Sequence, residues 1–151
     1  MSKEGREAES RSTQTVVPML AYANGPAAMD WLVRVFGFHE RARLLTDGGH
    51  LAHGELSVGD GIVMLATPGQ DYEGPKQHRE HCERAARWSE VPWIIDGVLV
   101  LVDDVAAHFS RAQREGARIL SPLEPGPPAA RYRAEDIEGH RWMFMERSVH
   151  P

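Results

Sequence analysis

The sequence predicts an α+β fold made of two tandem βαβββ modules. Three observations carry this. Strand-like and helix-like patterns occur in the same order twice, a glycine stops the helix in each half, and each half closes on a hairpin signal. The spacing agrees: Gly116 follows Gly37 by 79 positions, Gly139 follows Gly61 by 78, and Met143 follows Met64 by 79. Such a repeat implies that neither half buries its apolar face alone, so the core forms between them. The expected result is one α+β unit of eight strands and two main helices.

The first module is expected over about residues 16–66. Residues 16–22 form a β-rich run in which Pro18, lacking an amide proton, favours the strand's beginning or an edge. Asn24-Gly25-Pro26 makes a turn and a helix entry. Ala28, Trp31, Leu32, Val35 and Phe36 then recur at helical spacing, and Gly37 stops the helix. Three strands follow, at residues 38–45, 51–58 and 62–66, the last two joined across Gly59-Asp60-Gly61.

Residues 67–96 connect the modules. Pro68-Gly69 and Gly74-Pro75 break the chain, and residues 77–88 are polar with a helical spacing. A connection this long is an interface, a lid or a linker. The second module is expected over about 97–147. Residues 97–102 are a continuous apolar strand, and Asp103-Asp104 suits a helix N-terminus. Val105, Ala106, Phe109 and Ala112 form an apolar stripe that ends at Gly116. Residues 117–120 read as a strand and the Pro- and Gly-rich 121–130 as a loop. The closing hairpin runs from Arg131 to Met145, with acidic residues and Gly139 supplying its turn.

Composition narrows the function. The 151 residues fit one domain, 15–151, preceded by a disordered tail at 1–14. A formal charge of −5 argues against nucleic acid, which requires a basic face. No apolar run approaches the roughly 20 residues that span a bilayer, so no membrane partner is expected. Cys82 is the only cysteine and cannot form an internal disulfide. A cytoplasmic protein is the expectation.

The stretch Asp136-Ile137-Glu138-Gly139-His140-Arg141-Trp142-Met143-Phe144, within two βαβββ modules, resembles the vicinal oxygen chelate superfamily. That group holds glyoxalase I, the bleomycin-resistance proteins, fosfomycin-resistance enzymes and extradiol dioxygenases. The helix end Arg34-Val35-Phe36-Gly37-Phe38 is similar to theirs as well. The resemblance implies a curved, mixed, eight-stranded sheet with helices packed on its outer face, in which each module curls into a half-barrel with a concave binding face, and it implies that two chains pair as a homodimer. In metal-dependent members, ligands come from the first and last strands of each module. Those positions fall here near Val17, Met64, Gly97 (or Val98) and Met143. None is a donor suited to the hard divalent ions concerned, because thioether sulfur is too soft and the others offer no side-chain donor.

The expected function is therefore binding of a small organic molecule in an apolar concave pocket, with no metal cofactor, as in the metal-free bleomycin-resistance-like members. The residues expected to line the pocket are Met19, His53, Glu55, Met64, Trp93, Arg133, Arg141 and Met143. Met64 and Met143 would make its floor apolar and adaptable. The arginines would suit an anionic group. The alternative is a lyase, isomerase or dioxygenase whose divalent metal has moved to residues such as His53 and Glu55. These two alternate on one strand and so share a face, and they could also form an acid–base pair. His78, His81 and Cys82 would share a helical face, which their charged neighbours mark as surface. His140 is expected to hydrogen-bond across its own turn.

Overall fold

The computed structural model describes residues 14–147. Most of the tail expected at 1–14 lies outside them. Module one runs β1 (Met19–Ala21), α1 (Gly25–Phe36), β2 (His39–Leu45), β3 (Leu51–Val58) and β4 (Gly61–Ala66). The connection holds α2 (Pro75–Glu80) and α3 (Glu83–Trp88). Module two runs β5 (Gly97–Val102), α4 (Val105–Arg114), β6 (Arg118–Glu124), β7 (Arg131–Glu135) and β8 (Arg141–Glu146). The strand orders are β1-β4-β3-β2 and β5-β8-β7-β6, so the second module repeats the first. In each, the first and last strands run parallel and the rest antiparallel. The eight strands thus form two four-stranded mixed sheets, not one continuous ladder.

Local chemistry sets the element ends. Asn24 Oδ1 accepts from the Ala27 amide (3.1 Å) and Asp104 Oδ1 from the Ala107 amide (3.0 Å), capping α1 and α4. Gly37 takes φ 76° and returns its amide to the Val33 carbonyl. Four expectations need adjusting. The first strand is only three residues long; ahead of it Gln14 uses its side-chain amide as a substitute strand, pairing with both Ile62 amide (2.7 Å) and carbonyl (2.9 Å). Part of the loop expected at 121–130 is strand, because β6 continues to Glu124 through register shifts. The helix expected at 77–88 is two short helices, since His81 and Cys82 adopt extended φ values of −127° and −133°. The His78 and His81 rings still meet edge-on with centroids 5.8 Å apart, but Cys82, extended at ψ 106°, belongs to the start of α3.

The core is common to both modules. Ala28, Met29, Leu32, Val35 and Phe36 of α1 are buried in one cluster with Leu56, Val63 and Leu65 of module one and Tyr132, Trp142 and Phe144 of module two. Phe36 lies edge-on to Phe144 with ring centroids 4.8 Å apart, and Phe38 lies 5.4 Å from Trp142. Helix α4 also caps α1. His108 Nε2 lies 2.8 Å from the Phe36 carbonyl, and Arg111 donates to the carbonyl of Arg34 (3.1 Å). Burial lowers the pKa of His108. The neutral imidazole then donates from Nε2 to Phe36 and accepts at Nδ1 from the Tyr132 hydroxyl.

The closing hairpin locks the modules together. Asp136 accepts from the Tyr22 hydroxyl (2.6 Å), Trp142 Nε1 (3.0 Å) and the amides of Glu138 (3.1 Å) and His140 (3.0 Å). Burial pushes the Asp136 carboxyl above its usual range, against the pull of His140 and of these donors. Burial and the Asp136 charge together raise the Tyr22 phenol well above its ordinary pKa, so the hydroxyl stays a donor. His140 bonds across its own turn through its backbone, its carbonyl accepting from the Asp136 amide (2.8 Å), while its side-chain Nε2 reaches out to the Ala21 carbonyl in β1 (2.6 Å). The Glu138 carboxylate accepts from the Ala23 (2.6 Å) and Asn24 (2.8 Å) amides at the entry to α1.

The Asp136→Ala variant strands two buried donors on opposite modules. It should lose about 3 kcal/mol of stability in urea unfolding, while Asp136→Asn, which keeps one acceptor, loses less. A loss below about 1 kcal/mol for Asp136→Ala would show that the latch is dispensable.

Candidate functional site

Strand register decides which side chains meet. In sheet one, Met19 pairs with Met64, Met64 with Glu55, and Leu44 with His53. Leu56, Val63 and Leu65 of the same strands are buried in the core, so Met19, Met64, Glu55 and His53 face away from the helices. In sheet two, Leu99 pairs with Met143, Met143 with Arg133, and Arg141 with Glu135. These lie opposite the core residues Val100, Tyr132, Trp142 and Phe144.

A cavity of about 350 Å³ opens on this face of sheet two, lined by Trp93, Ile95, Leu99, Arg133, Arg141 and Met143 with Pro92, Gly97, Val98 and Trp142. It brings together four of the eight expected residues: Trp93, Arg133, Arg141 and Met143. Met19, His53, Glu55 and Met64 lie outside it, grouped on the equivalent face of sheet one. A hollow of about 390 Å³ lies along β5 against the β3–β4 turn, but no aromatic side chain lines it. The sheet-two cavity is the better-equipped site, and its size suits a small organic molecule.

The wall of this cavity comes from the connection, which a buried charge cluster fixes in place. Arg79 of α2 reaches both oxygens of Glu135 (2.6 and 2.7 Å), and Glu135 also meets Arg118 (3.4 Å) and Arg141 (3.3 Å). Burial raises the Glu135 carboxyl, but the Arg79 hydrogen bonds and the three guanidinium charges hold it below the ordinary carboxylate range. Arg141 is itself buried, and burial lowers its pKa despite Glu135. It grips the connection by donating to the carbonyls of Ser89 (2.7 Å), Val91 (2.7 Å) and Ile94 (3.3 Å). Within that grip Ile95 is held at φ 61°, a region β-branched residues rarely enter. Gly139 (φ 96°) lets the hairpin turn approach α2, where a side chain would collide with the Lys76 backbone. Arg141 thus acts on the site by positioning Trp93, with its terminal nitrogens already engaged.

Sequence reasoning missed Leu99, Ile95, Arg79 and Glu135. Glu135 reads as part of an acidic turn, yet it ends β7. The alternation Arg131, Arg133, Glu135 on one strand face was the available signal.

The positions that the resemblance implies for metal ligands carry no donor suited to a hard divalent ion. Val17 precedes β1, Gly97 opens β5, and Met64 and Met143 offer only thioethers. His53 Nε2 lies 3.5 Å from Glu55 Oε2, making one pair. Among the described residues no group of three or more His, Cys, Asp or Glu side chains is placed to hold a metal ion. No helix among them is long and apolar enough to cross a membrane.

Residues 15–144 match the Glyoxalase/Bleomycin resistance protein/Dioxygenase superfamily. The chain belongs to that family. It is similar to TioX from Micromonospora sp. ML1, at 34% identity over 91% of this chain and 99% of that one, with a TM-score of 0.65. The same fold is found in TnmS3, an antibiotic binding protein from Streptomyces sp. CB03234 (17% identity, 91% and 100% covered, TM-score 0.57). It is found too in the bleomycin-binding protein of bleomycin-producing Streptomyces verticillus, complexed with copper(II)-bleomycin (14% identity, 91% and 99% covered, TM-score 0.58). No curated protein sequence matches the chain.

If Arg79 and Glu135 hold the cavity wall, Arg79→Ala should speed amide hydrogen exchange across residues 76–94 by about tenfold and leave β3 and β8 unchanged. Uniform acceleration across the chain would instead make the pair a global stability element.

Proposed function

We propose that this protein binds a small planar organic molecule in the Trp93–Met143 cavity without the family's metal. The observation that carries the reading is the make-up of the cavity: an apolar floor of Leu99 and Met143 beneath an aromatic rim, where Trp93 is 68% exposed and offers its ring. Antibiotic-binding proteins of the same fold support it. The ligand-lining set is Trp93, Arg133, Arg141 and Met143 from one chain.

Met19, His53, Glu55 and Met64 enter through a partner in this reading. Met19 (80%), Leu99 (54%) and Leu101 (42%) are exposed apolar side chains. A homodimer that sets sheet one of one copy over sheet two of the other covers them and completes the pocket. A cytoplasmic setting fits the single cysteine, Cys82.

Ligands found in a melting-temperature screen of planar aromatic antibiotics are expected to stabilise the wild type by mass action. The Trp93→Ala variant should lose that shift while melting normally by itself. Hits that shift Trp93→Ala and wild type equally would place the site elsewhere.

The second reading is an enzyme using His53 and Glu55, favoured by their 3.5 Å approach. Metal analysis of untagged protein purified without chelator separates the two. The binding reading expects less than stoichiometric divalent metal; a full equivalent that disappears in His53→Ala or Glu55→Ala would establish the second.

A further inference from the structure

We propose that the Trp93–Met143 cavity selects an aromatic carboxylate, with Arg133 as the residue that pairs with the anion; this rests on the binding reading above. The charge count around the cavity carries it. Four guanidiniums, those of Arg79, Arg118, Arg133 and Arg141, gather on or beside this face of sheet two, and three of them share the Glu135 carboxylate. Glu135 is already committed to Arg79, Arg118 and Arg141. Arg133 precedes it by two residues on β7 and so faces the same side.

Among the described residues no carboxylate lies within salt-bridge distance of Arg133. Its guanidinium lies over the Trp93 ring, 5.8 Å from guanidinium carbon to ring centroid. The chain as a whole is acidic, at −5, yet the charged side chains that line this cavity are Arg133 and Arg141.

A ligand that answers all of these features is a flat ring bearing a carboxylate. The ring meets Trp93, Leu99 and Met143, and the carboxylate meets the planar fork of Arg133, which suits two parallel hydrogen bonds. Arg141 has both terminal nitrogens on Ser89, Val91, Ile94 and Glu135 and keeps only its buried Nε without a partner, so it lacks the two-donor fork that Arg133 offers.

The test titrates full-length protein with 2-naphthoate and its neutral isostere 2-naphthamide, by calorimetry. The expected result is at least about tenfold tighter binding of the naphthoate, the scale of one charge-assisted contact. Arg133→Gln should erase that preference and leave naphthamide binding unchanged, while Arg114→Gln, on exposed α4, should retain it. Arg133→Lys keeps the charge without the fork and should show an intermediate preference, which serves where the Gln variant does not fold.

Equal binding of both probes, weakened by Trp93→Ala, overturns the carboxylate inference and leaves the aromatic cavity standing. A preference that survives Arg133→Gln or is lost equally in Arg114→Gln also overturns it. Binding of neither probe at millimolar concentration, or binding that Trp93→Ala leaves untouched, overturns both readings.

Discussion

The buried carboxylate of Asp136 is the constraint on which the architecture depends. It sits in the turn of the last hairpin, yet two of its partners belong to different modules: Tyr22 follows β1 and Trp142 lies in β8. A carboxylate removed from water must be surrounded by donors, and four are supplied. With His140 bound to Ala21 and Glu138 bound at the start of α1, the hairpin turn is fastened to the place where module one begins its helix. The most recognisable stretch of the sequence is thus a clasp between modules.

The clasp has a consequence for the site. The helix faces of both sheets are consumed by one shared core, joined through Phe36, Phe38, Trp142 and Phe144. The opposite faces are left open, and their equivalent positions are occupied by Met64 and Met143. The connection then closes over only one of these faces. Glu135 and Arg141 draw in α2 and residues 89–94, which places Trp93 beside sheet two and leaves sheet one uncovered. This asymmetry between two repeated modules is what creates a cavity in one of them.

Much of the fold was legible because its signals are local. Asn24 and Asp104 cap their helices, Gly37 ends α1 in the left-handed region, and the alternation in β3 and β8 assigns each residue a face. The misreadings came from partners distant in sequence. Gln14 looks like tail until Ile62 is beside it. His140 is the turn residue it looks like, but its ring also reaches Ala21, 119 residues earlier. Glu135 looks like turn chemistry until Arg79, 56 residues earlier, arrives to neutralise it.

By itself the sequence determined the repeat, the order of the elements and the apolar character of Met64 and Met143, because periodicity, turn residues and side-chain chemistry act over a few neighbours. It also placed Trp93, Arg133, Arg141 and Met143 among the candidate residues. Only the tertiary structure decided that these four meet in one cavity while Met19, His53, Glu55 and Met64 gather on the other sheet. It also decided that Arg141 is engaged with backbone carbonyls and Arg133 has no carboxylate partner among the described residues. Those outcomes depend on which charges are brought together across long stretches of chain, and hydrogen bonds and ion pairs at such separations follow from packing rather than local pattern.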